Sequence, residues 1–540
     1  MEMGDNKSAV SVGDVEKDSV SASHTGSNES DVSSKWRSQP WARALLSWGV
    51  EERGTVPVPY EQRTDTQFYK IFFVWFSMNF NILSFSTGVL GPIAFGLGIR
   101  DSCLVILFFN MLACALPAYL NTWGPKTGMR QMVLSRYTFG YYGIIIPAIL
   151  NLIGLCGFNI LNCILGGQAL SSVTGGSMSW TVGIVIIAIL AMLMSFMGIK
   201  VLNWYERVAW FPVLIAFLVA LGVGGKHLYA ASAPDPPLAP ATSVTVLSYA
   251  AVIAGFVVTY SAMASDFTMY YTPAVPRKTI FLYSYFGYIV PIILMECLGA
   301  AAVLAAPTVP SWNTGYGTAG NIGGLLEAML QPVGNFGKFL TVLLSLSVTG
   351  NIACTLYSIC FNFQVCIPRL EKVPRYVFSI VGTAIALPLS IVGAHRFQET
   401  LTNFLSLIGY WASAYGAILI IEHHYFRSSP RWVAYFSPSP SHNPYPTSPS
   451  SGVDKADIDP YATYHHPAYD QPARLPTGIS ALLAGILAFG LIIPCMNQVW
   501  FVGPIGMKTG DIGFEVAFVL GGMLYVPIRW GELTWGGRRG

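Results

Sequence analysis

Long apolar stretches follow one another along the chain from about residue 70, separated by short polar or Gly/Pro-rich segments. A helix that crosses a bilayer needs about 20 mostly apolar residues, and most of the stretches reach this length. They predict twelve spans, numbered 1 to 12 in chain order, near residues 70–95, 101–120, 143–170, 181–199, 206–225, 245–265, 281–305, 335–362, 376–394, 398–422, 478–497 and 512–530. We therefore expect an all-α membrane protein with about twelve transmembrane helices.

Polar sequence marks the parts outside the spans. Residues 1–65 are Ser-rich and of mixed charge, and they predict a disordered cytosolic tail rather than a signal peptide. Residues 426–477 are rich in Pro, Ser, Tyr and His and predict a flexible loop, in which His465 and His466 are solvated rather than metal-bound. The remaining segments are a ten-helix core at 66–425, two additional spans at 478–530 and a tail at 531–540.

The composition agrees with a chain embedded in lipid. Of the 540 residues, 53% are hydrophobic and 11% are charged, whereas soluble domains average about 25% charged residues. The net charge of +3 and the lack of a phosphate-binding or nucleic-acid-binding motif argue against a nucleic-acid partner. The nine cysteines form no CxxC pair or Cys/His cluster, so neither a metal site nor a cofactor is expected.

The basic residues give the predicted spans an orientation. With the N-terminus placed in the cytosol, the inner segments hold 25 of the 30 Lys and Arg residues. The outer loops hold the other five, which are Arg100, Lys226, Lys338, Arg396 and Lys508. Because Lys and Arg accumulate on the cytosolic side of membrane proteins, both termini are predicted to be cytosolic.

The motifs that are missing narrow the class of function. The sequence has no HExxH, GxSxG or paired-Asp motif that would indicate a membrane enzyme. It also has no pore-lining repeat or ring of charges typical of a channel. Twelve spans without these features favour a transporter of a small molecule rather than an enzyme.

Span 1 carries an unusual number of polar groups. Its stretch SMNFNILSFSTGVLGP, residues 77–92, combines hydroxyl side chains, two Asn and two Gly. Irregular backbone survives inside a membrane only where it lines a cavity or is buried in protein, and transporters use broken helices to bind substrate and ion. We expect such a break within residues 81–88; an unbroken helix-packing face of small residues is the alternative.

Span 6 offers a matching interruption. Its stretch GFVVTYSAMASDF, residues 255–267, places Gly, Thr and Ser around its middle. If spans 1–5 and 6–10 are inverted repeats, spans 1 and 6 are equivalent, and two interrupted spans then point to a central site. Amides in spans 3 and 8, namely Asn159, Asn162 and Asn351, either meet the edge of a heterocycle there or join helices to one another.

Three acidic residues are candidates for ion coupling or gating. Glu296 lies in the middle of span 7, where it either binds and releases a proton or is satisfied by hydroxyls or by water near the end of the span. Glu206 and Asp266 are expected near the cytosolic ends of spans 5 and 6, with Arg207 nearby. Ion pairs there would either lock an inner gate or be structural.

Four stretches of the chain carry a resemblance to a known family. They are GPKTGMRQMVLSRYTFGYYG at 124–143, NWYERVAWFPVL at 203–214, SDFTMYYTP at 265–273, and LPTGISALLAG with MNQVWFVGPIG between 475 and 506. They resemble the loop between spans 2 and 3, the start of span 5, the end of span 6 and span 11 of the nucleobase-cation-symport-one family, in its fungal purine–cytosine permease branch. The resemblance covers about residues 50–530.

Membership in this family implies a LeuT-type fold, in which ten helices form two inverted repeats with broken spans 1 and 6, plus two extra helices. It also implies alternating access and cation-coupled uptake of a nucleobase, such as cytosine, adenine, guanine or hypoxanthine, at the plasma membrane. The cation in fungal members is usually a proton. Sodium is the less favoured ion, with Ser345, Ser347 and Thr349 as weak candidate ligands.

The family's substrate contacts correspond to six positions of this chain. The matching residues are Ser84 in span 1, Phe158 and Asn162 in span 3, Tyr260 in span 6, and Asn351 and Thr355 in span 8. The family's Glu at the start of span 5 matches Glu206. Phe158 and Tyr260 replace two Trp residues of the family, and they still provide rings that clamp a planar ligand.

The remaining differences from the family leave the substrate open. Ile352 and Thr355 stand where the family has amides, and a smaller set of polar groups discriminates less between ligands. A transporter of a related ring, such as pyridoxine or another vitamin, is therefore the alternative. A second alternative is a nutrient sensor that binds its ligand but barely transports it, and the tail and the 427–477 insert could serve such a sensor. Uptake against a gradient would distinguish a transporter from a sensor.

Overall fold

A computed structural model describes residues 54–196, 199–232, 238–429, 431, 432, 436 and 460–535. The described chain is helical, apart from two isolated β-bridges. Most of the predicted tail 1–65, the centre of the predicted loop 426–477 and the end of the predicted tail 531–540 lie outside the described residues.

Helices occupy all twelve predicted span positions within the described residues. They are Lys70–Asn79 with Ile82–Phe95, Ile99–Ala113 with Ala115–Asn121, Ile145–Val173, Trp180–Ser195, Ile199–Leu228, Ser243–Val258, Arg277–Ala305, Asn335–Cys366, Arg375–Gly393, Phe397–Ile421, Ile479–Cys495 and Gly513–Trp535. The helices of spans 4 and 11 are apolar but short, with 16 and 17 residues. The arrangement is consistent with twelve spans.

Close helix packing surrounds spans 1 and 8, which carry predicted site residues. Span 8 packs along span 3, and span 7 packs along span 1. At the second contact Gly88 faces the backbone carbonyl of Glu296 so closely that a Cβ on Gly88 would overlap it. Small residues allow helix backbones in a membrane protein to approach in this way.

Short helices in the loops go beyond the sequence prediction. Gln131–Phe139 lies in the loop between spans 2 and 3, and Pro310–Tyr316 and Ile322–Leu330 lie between spans 7 and 8. Each has nine residues or fewer, so a search for stretches long enough to cross a bilayer does not detect them.

Residues 54–65 differ from the disordered tail that their composition predicts. Val58 is buried, and its backbone N–H donates to the carbonyl of Gly128 at 2.8 Å. Arg63 donates to the carbonyl of Pro125 at 3.0 Å. The end of the predicted tail therefore packs against the loop between spans 2 and 3.

Residues 460–475 differ from the flexible loop that their composition predicts. Tyr464 is buried, and its ring lies against those of Trp123 and Tyr137. His466 Nε2 is 2.6 Å from the carbonyl oxygen of Thr127, and His465 Nε2 is hydrogen-bonded to a backbone carbonyl as well. The two His side chains are therefore partly buried and hydrogen-bonded rather than fully solvated, because neighbouring Tyr residues supply enough apolar area to dock the segment.

Buried charges join span 12 to the end of span 10. Arg529 of span 12 donates to both oxygens of Glu422, at 3.1 and 3.3 Å. Arg427 also forms an ion pair with Glu422, at 3.2 Å, and Tyr525 donates to the same carboxylate at 2.8 Å. All four side chains are buried, and the carboxylate is compensated from several sides, as a buried charge requires.

Candidate substrate site

The break in span 1 lies at Phe80 and Asn81, at the start of the predicted stretch 81–88. The two half-helices meet at an angle of 52°. Asn81 caps the second half-helix, since its Oδ1 accepts hydrogen bonds from the backbone N–H groups of Leu83 at 2.8 Å and Ser84 at 3.2 Å. Span 1 is therefore broken as predicted, and the alternative of an unbroken packing helix is wrong.

Span 6 is interrupted at the matching position. Its helix ends at Val258, and residues 259–262 and 264–267 continue as short 3-10 turns. Tyr260, in the first of these turns, donates a hydrogen bond to Asn79 Oδ1 at 3.0 Å. The interruptions of spans 1 and 6 therefore meet, which is consistent with their predicted equivalence.

Phe158 of span 3 and Tyr260 of span 6 form a pair of nearly parallel rings. The ring centroids lie 6.1 Å apart, and the ring planes differ by 13°. A planar ligand held between two rings needs a contact of about 3.5 Å on each side. The planes of the two rings lie no further apart than their centroids, so the rings must separate by at least about 1 Å to admit a heterocycle between them.

Asn162 of span 3 and Asn351 of span 8 form a buried amide pair beside the break. Asn162 Nδ2 donates to Asn351 Oδ1 at 3.0 Å, and Asn351 Nδ2 donates to the backbone carbonyl of Met78 at 2.9 Å. That carbonyl lies in the last turn before the break, where carbonyls lose their helical partners. Asn162 Oδ1 has no hydrogen-bond partner among the described residues, so it is available to accept a bond from a ligand.

Ser84 and Thr355 lie beside the amide pair and form hydrogen bonds that join helices. The Ser84 hydroxyl donates to the carbonyl of Asn79 at 2.6 Å and so links the two halves of span 1. The Thr355 hydroxyl donates to Asn159 Oδ1 and so links span 8 to span 3. Direct contact of Ser84 and Thr355 with a substrate stays a prediction.

A small pocket adjoins the ring pair. Spans 3, 6, 8 and 10 contribute its lining residues, which are Asn151, Gly154, Leu155, Phe158, Thr259, Tyr260, Met263, Thr355 and Trp411. From Phe158 to Asn151 the cavity follows span 3 for about 10 Å. It therefore extends from the rings toward the face predicted to be cytosolic.

Trp411 and Asn79 belong to the site but are not among the predicted residues. Trp411 is 8% exposed, and it forms a third aromatic wall of the cavity. It lies in the stretch IGYWASAYG of span 10, whose small residues are a weak signal of a site. Asn79 lies in the polar stretch of span 1, but only the folded chain shows that it accepts the hydrogen bond from Tyr260.

Asp266 holds the loop between spans 2 and 3 against the core. The backbone N–H of Gln131 donates to its Oδ1 at 2.9 Å, and Ser358 donates to its Oδ2 at 3.2 Å. Gln131 is the first residue of the helix Gln131–Phe139, and the N-terminus of a helix attracts a carboxylate. The carboxyl group thus joins the ends of spans 6 and 8 to this loop.

Glu296 and Glu206 are both buried within the helical core. Asn110 Nδ2 of span 2 donates to Glu296 Oε2 at 2.6 Å, so an amide, which was not among the partners considered from the sequence, satisfies the group in part. Glu206 contacts Cys354 of span 8. It forms no ion pair with Arg207, whose guanidinium lies over the ring of Tyr69.

The three candidate sodium ligands of span 8 do not converge. Ser345 donates to a carbonyl of span 3, whereas Ser347 and Thr349 each donate to a carbonyl one turn back in their own helix. Residues two apart on a helix do not face the same side, so Ser347 points away from the other two. Within the described residues no three His, Cys, Asp or Glu side chains are grouped to hold a metal ion either.

Comparison with known sequences gives consistent matches over most of the chain. A family model described as "Permease for cytosine/purines, uracil, thiamine, allantoin" matches residues 57–437. A purine-cytosine permease of Emericella nidulans is 32% identical over 501 residues, which cover 92% of this chain and 91% of the relative. A vitamin B6 transporter of Saccharomyces cerevisiae is 30% identical over 523 residues, which cover 92% of this chain and 90% of that relative.

A solved transporter has a similar arrangement of helices. Mhp1, a nucleobase-cation-symport-1 family transporter, in a closed conformation with bromovinylhydantoin bound, aligns with a TM-score of 0.64 at 16% identity. The alignment covers 90% of this chain and 97% of Mhp1. The two proteins therefore share a fold.

Proposed function

Because the chain belongs to the family of permeases for cytosine, purines, uracil, thiamine and allantoin, in its fungal purine–cytosine branch, we propose that it imports cytosine and purines such as adenine, guanine and hypoxanthine by proton symport. The family is one of transporters, not of enzymes. The sequence matches confirm the family resemblance, and the similarity to Mhp1 confirms a helical membrane fold of the same type.

The pair of parallel rings beside the amide pair is the observation that supports a nucleobase as substrate. Phe158 and Tyr260 separate slightly and stack on the two faces of the base. Asn162 presents its free Oδ1 to a donor on the edge of the base, while Asn351 holds Asn162 in place. A planar heterocycle with an N–H or amino group on its edge can both stack between the rings and donate a hydrogen bond to Asn162 Oδ1.

Alternating access is proposed to act through the two interrupted spans. In the outward-facing state the base enters from outside the cell and binds between spans 1, 3, 6 and 8. The bundle then rocks, and the cavity along span 3 widens into a path to the cytosol. We place the transporter in the plasma membrane with both termini in the cytosol, in agreement with the bias of Lys and Arg.

Coupling and gating are assigned to the three buried acids as proposals. Asp266 is proposed as a gating residue, because its hydrogen bond to Gln131 joins the end of span 6 to the loop on the predicted cytosolic face. Glu206 and Glu296 are proposed as carriers of the coupled proton, because both are buried without a neighbouring cation in the described chain.

Uptake in cells that lack their own nucleobase permeases tests the proposed function. Radiolabelled adenine and cytosine are supplied at two pH values, with and without a protonophore, and surface protein is quantified by a fluorescent tag. We expect saturable uptake that is faster at acidic pH and is abolished by the protonophore. Normal surface expression without uptake of either base would overturn the proposal.

Transport of vitamin B6 is the second candidate function. The similarity to a vitamin B6 transporter covers the same share of the chain as the similarity to a purine-cytosine permease, at nearly the same identity. Competition by unlabelled pyridoxine distinguishes the two. Strong inhibition by hypoxanthine and guanine with none by pyridoxine supports nucleobases, and the reverse order supports the vitamin.

A further inference from the structure

Glu206 is a buried carboxyl group without a compensating charge. Its exposed fraction is 1%, and the ion pairs of the described residues do not include it. Its Oε1 lies 3.7 Å from Cys354 Sγ, and its Oε2 has no hydrogen-bond partner in the described chain. An ionised carboxylate in these surroundings is costly, so this arrangement favours the neutral acid.

The carboxyl group lies where spans 5, 8 and 1 meet. Span 8 has no side chain at Gly350, and a Cβ there would lie 2.5 Å from Glu206 Oε1. From span 1, the Ser77 hydroxyl approaches the Glu206 side chain. The acid thus occupies space that Gly350 leaves free, in the junction between the broken span and span 8.

The residues next to these contacts belong to the candidate substrate site. Ser77 precedes Met78, and Gly350 precedes Asn351; the Met78 carbonyl accepts the 2.9 Å hydrogen bond from Asn351 Nδ2. Cys354 likewise precedes Thr355, which lines the cavity. A change of charge at Glu206 therefore acts on the same contact between spans 1 and 8 that positions the amide pair.

We propose that Glu206 is the binding site of the co-transported proton; this rests on the proposed function and names the residue that performs its coupling. With the proton bound, the neutral acid allows spans 1 and 8 to close around the substrate. Loss of the proton places a charge in the junction, which favours its opening to water. Proton and substrate therefore stabilise the same closed state, and each raises the affinity for the other.

The groups around the carboxyl fit a proton better than a metal ion. Span 8 presents the Cys354 thiol, span 1 the Ser77 hydroxyl, and span 5 the phenol of Tyr205, while Arg207 lies against Tyr69. Hard cations such as Ca²⁺ and Mg²⁺ take about six or more oxygen ligands. One carboxyl group, one hydroxyl and one phenol beside a closely packed Gly350 do not supply them.

Glu296 fits the coupling role less well than Glu206. Its hydrogen-bond partner Asn110 is on span 2, and its backbone packs on Gly88 in span 1. Neither contact involves span 8, which carries Asn351 and Thr355. A proton on Glu296 therefore has no direct effect on the contact between spans 1 and 8.

The test compares E206Q with wild type, since Gln keeps the shape of the neutral acid. Binding of labelled adenine and of labelled pyridoxine to the purified full-length protein is measured from pH 5 to pH 8, together with accumulation in cells. The matched control is E515Q, which neutralises a partly buried carboxyl group of span 12, outside the candidate site. E296Q is measured in parallel as the rival.

Wild type and E515Q are expected to lose affinity as pH rises, whereas E206Q binds equally well at every pH. In cells, E206Q is expected to exchange substrate but to accumulate none, whereas a pH gradient of about one unit supports about tenfold accumulation by wild type. The proposal is overturned if E206Q still binds substrate in a pH-dependent way or still accumulates it. It is also overturned if E296Q, and not E206Q, loses the pH dependence and the accumulation. If only pyridoxine binds and E206Q removes its pH dependence, the proton site stands and the nucleobase function fails.

Discussion

Tyr260 donates a hydrogen bond to Asn79 Oδ1 at 3.0 Å, and this bond joins the interruptions of spans 1 and 6. The ring of the same Tyr260 lies parallel to Phe158. One side chain therefore serves two purposes: its hydroxyl group fixes the junction of the broken helices, and its face forms one wall of the proposed clamp.

Tyr260→Phe separates these two roles. The variant keeps the ring and removes one hydrogen bond of about 1 kcal/mol, so we expect KM for adenine to rise about fivefold. Tyr260→Ala removes the ring too and should abolish measurable uptake. Tyr285→Phe is the control, since it removes a Tyr hydrogen bond to a span 2 carbonyl away from the site. An unchanged KM in Tyr260→Phe would contradict the proposed role of the hydroxyl.

The separation of the two rings should respond to ligand. Phe158 and Tyr260 have centroids 6.1 Å apart, and a stacked base between them requires about 7 Å. We expect a structure with bound adenine to show the ring centroids at least about 1 Å further apart, with the base between them. A base bound elsewhere, with the ring distance unchanged, would exclude the clamp.

Asn162→Ala should remove high-affinity uptake without unfolding the protein. The substitution deletes the free Oδ1 and leaves Asn351 Oδ1 without its donor. Loss of one buried polar partner costs about 1–3 kcal/mol, which corresponds to a KM about 5-fold to 150-fold higher. Kinetics are measured beside surface fluorescence and melting temperature, and wild-type kinetics at normal expression would refute the assignment.

Gly88→Ala should destabilise the protein through the backbone of span 7. A Cβ at this position overlaps the Glu296 carbonyl, and overpacking of a core costs about 1–3 kcal/mol. We expect a lower melting temperature in detergent and less protein at the surface. Gly485→Ala is the control, because a Cβ on Gly485 would meet no atom within 4 Å; equal melting temperatures for the two variants would contradict the prediction.

The docked segment 460–475 should loosen as pH falls. Burial lowers the pKa of His465 and of His466 below the usual value. The undocked segment therefore binds protons first, near pH 6.5, and docking loses free energy as pH falls below that value. Hydrogen exchange in 460–475, corrected for intrinsic rates, should be faster at pH 5.5 than at pH 7.5.

A double variant provides the control for this pH effect. His465→Gln with His466→Gln keeps side-chain donors for the backbone carbonyls but removes the titrating groups. Its corrected exchange should be the same at both pH values. If wild type also shows no difference, protonation of these two His residues does not control docking.

The sequence by itself determined the helices, because twenty apolar residues in lipid have few alternatives to a helix with all of its backbone hydrogen bonds made internally. It also located the breaks in spans 1 and 6, since Asn81 and the small polar residues near Tyr260 disfavour continuous helix in those stretches. The resemblance identified Phe158, Asn162 and Asn351, which the fold brings together.

Only the tertiary structure decided which polar groups meet. Periodicity does not reveal that Asn351 reaches the Met78 carbonyl, that Trp411 lines the cavity, or that Glu206 fills the space beside Gly350. Nor did the Pro/Ser-rich composition of the insert reveal that residues 460–475 dock through buried Tyr side chains. Such contacts join residues far apart in the chain, and they depend on how helices approach one another, which local sequence does not encode.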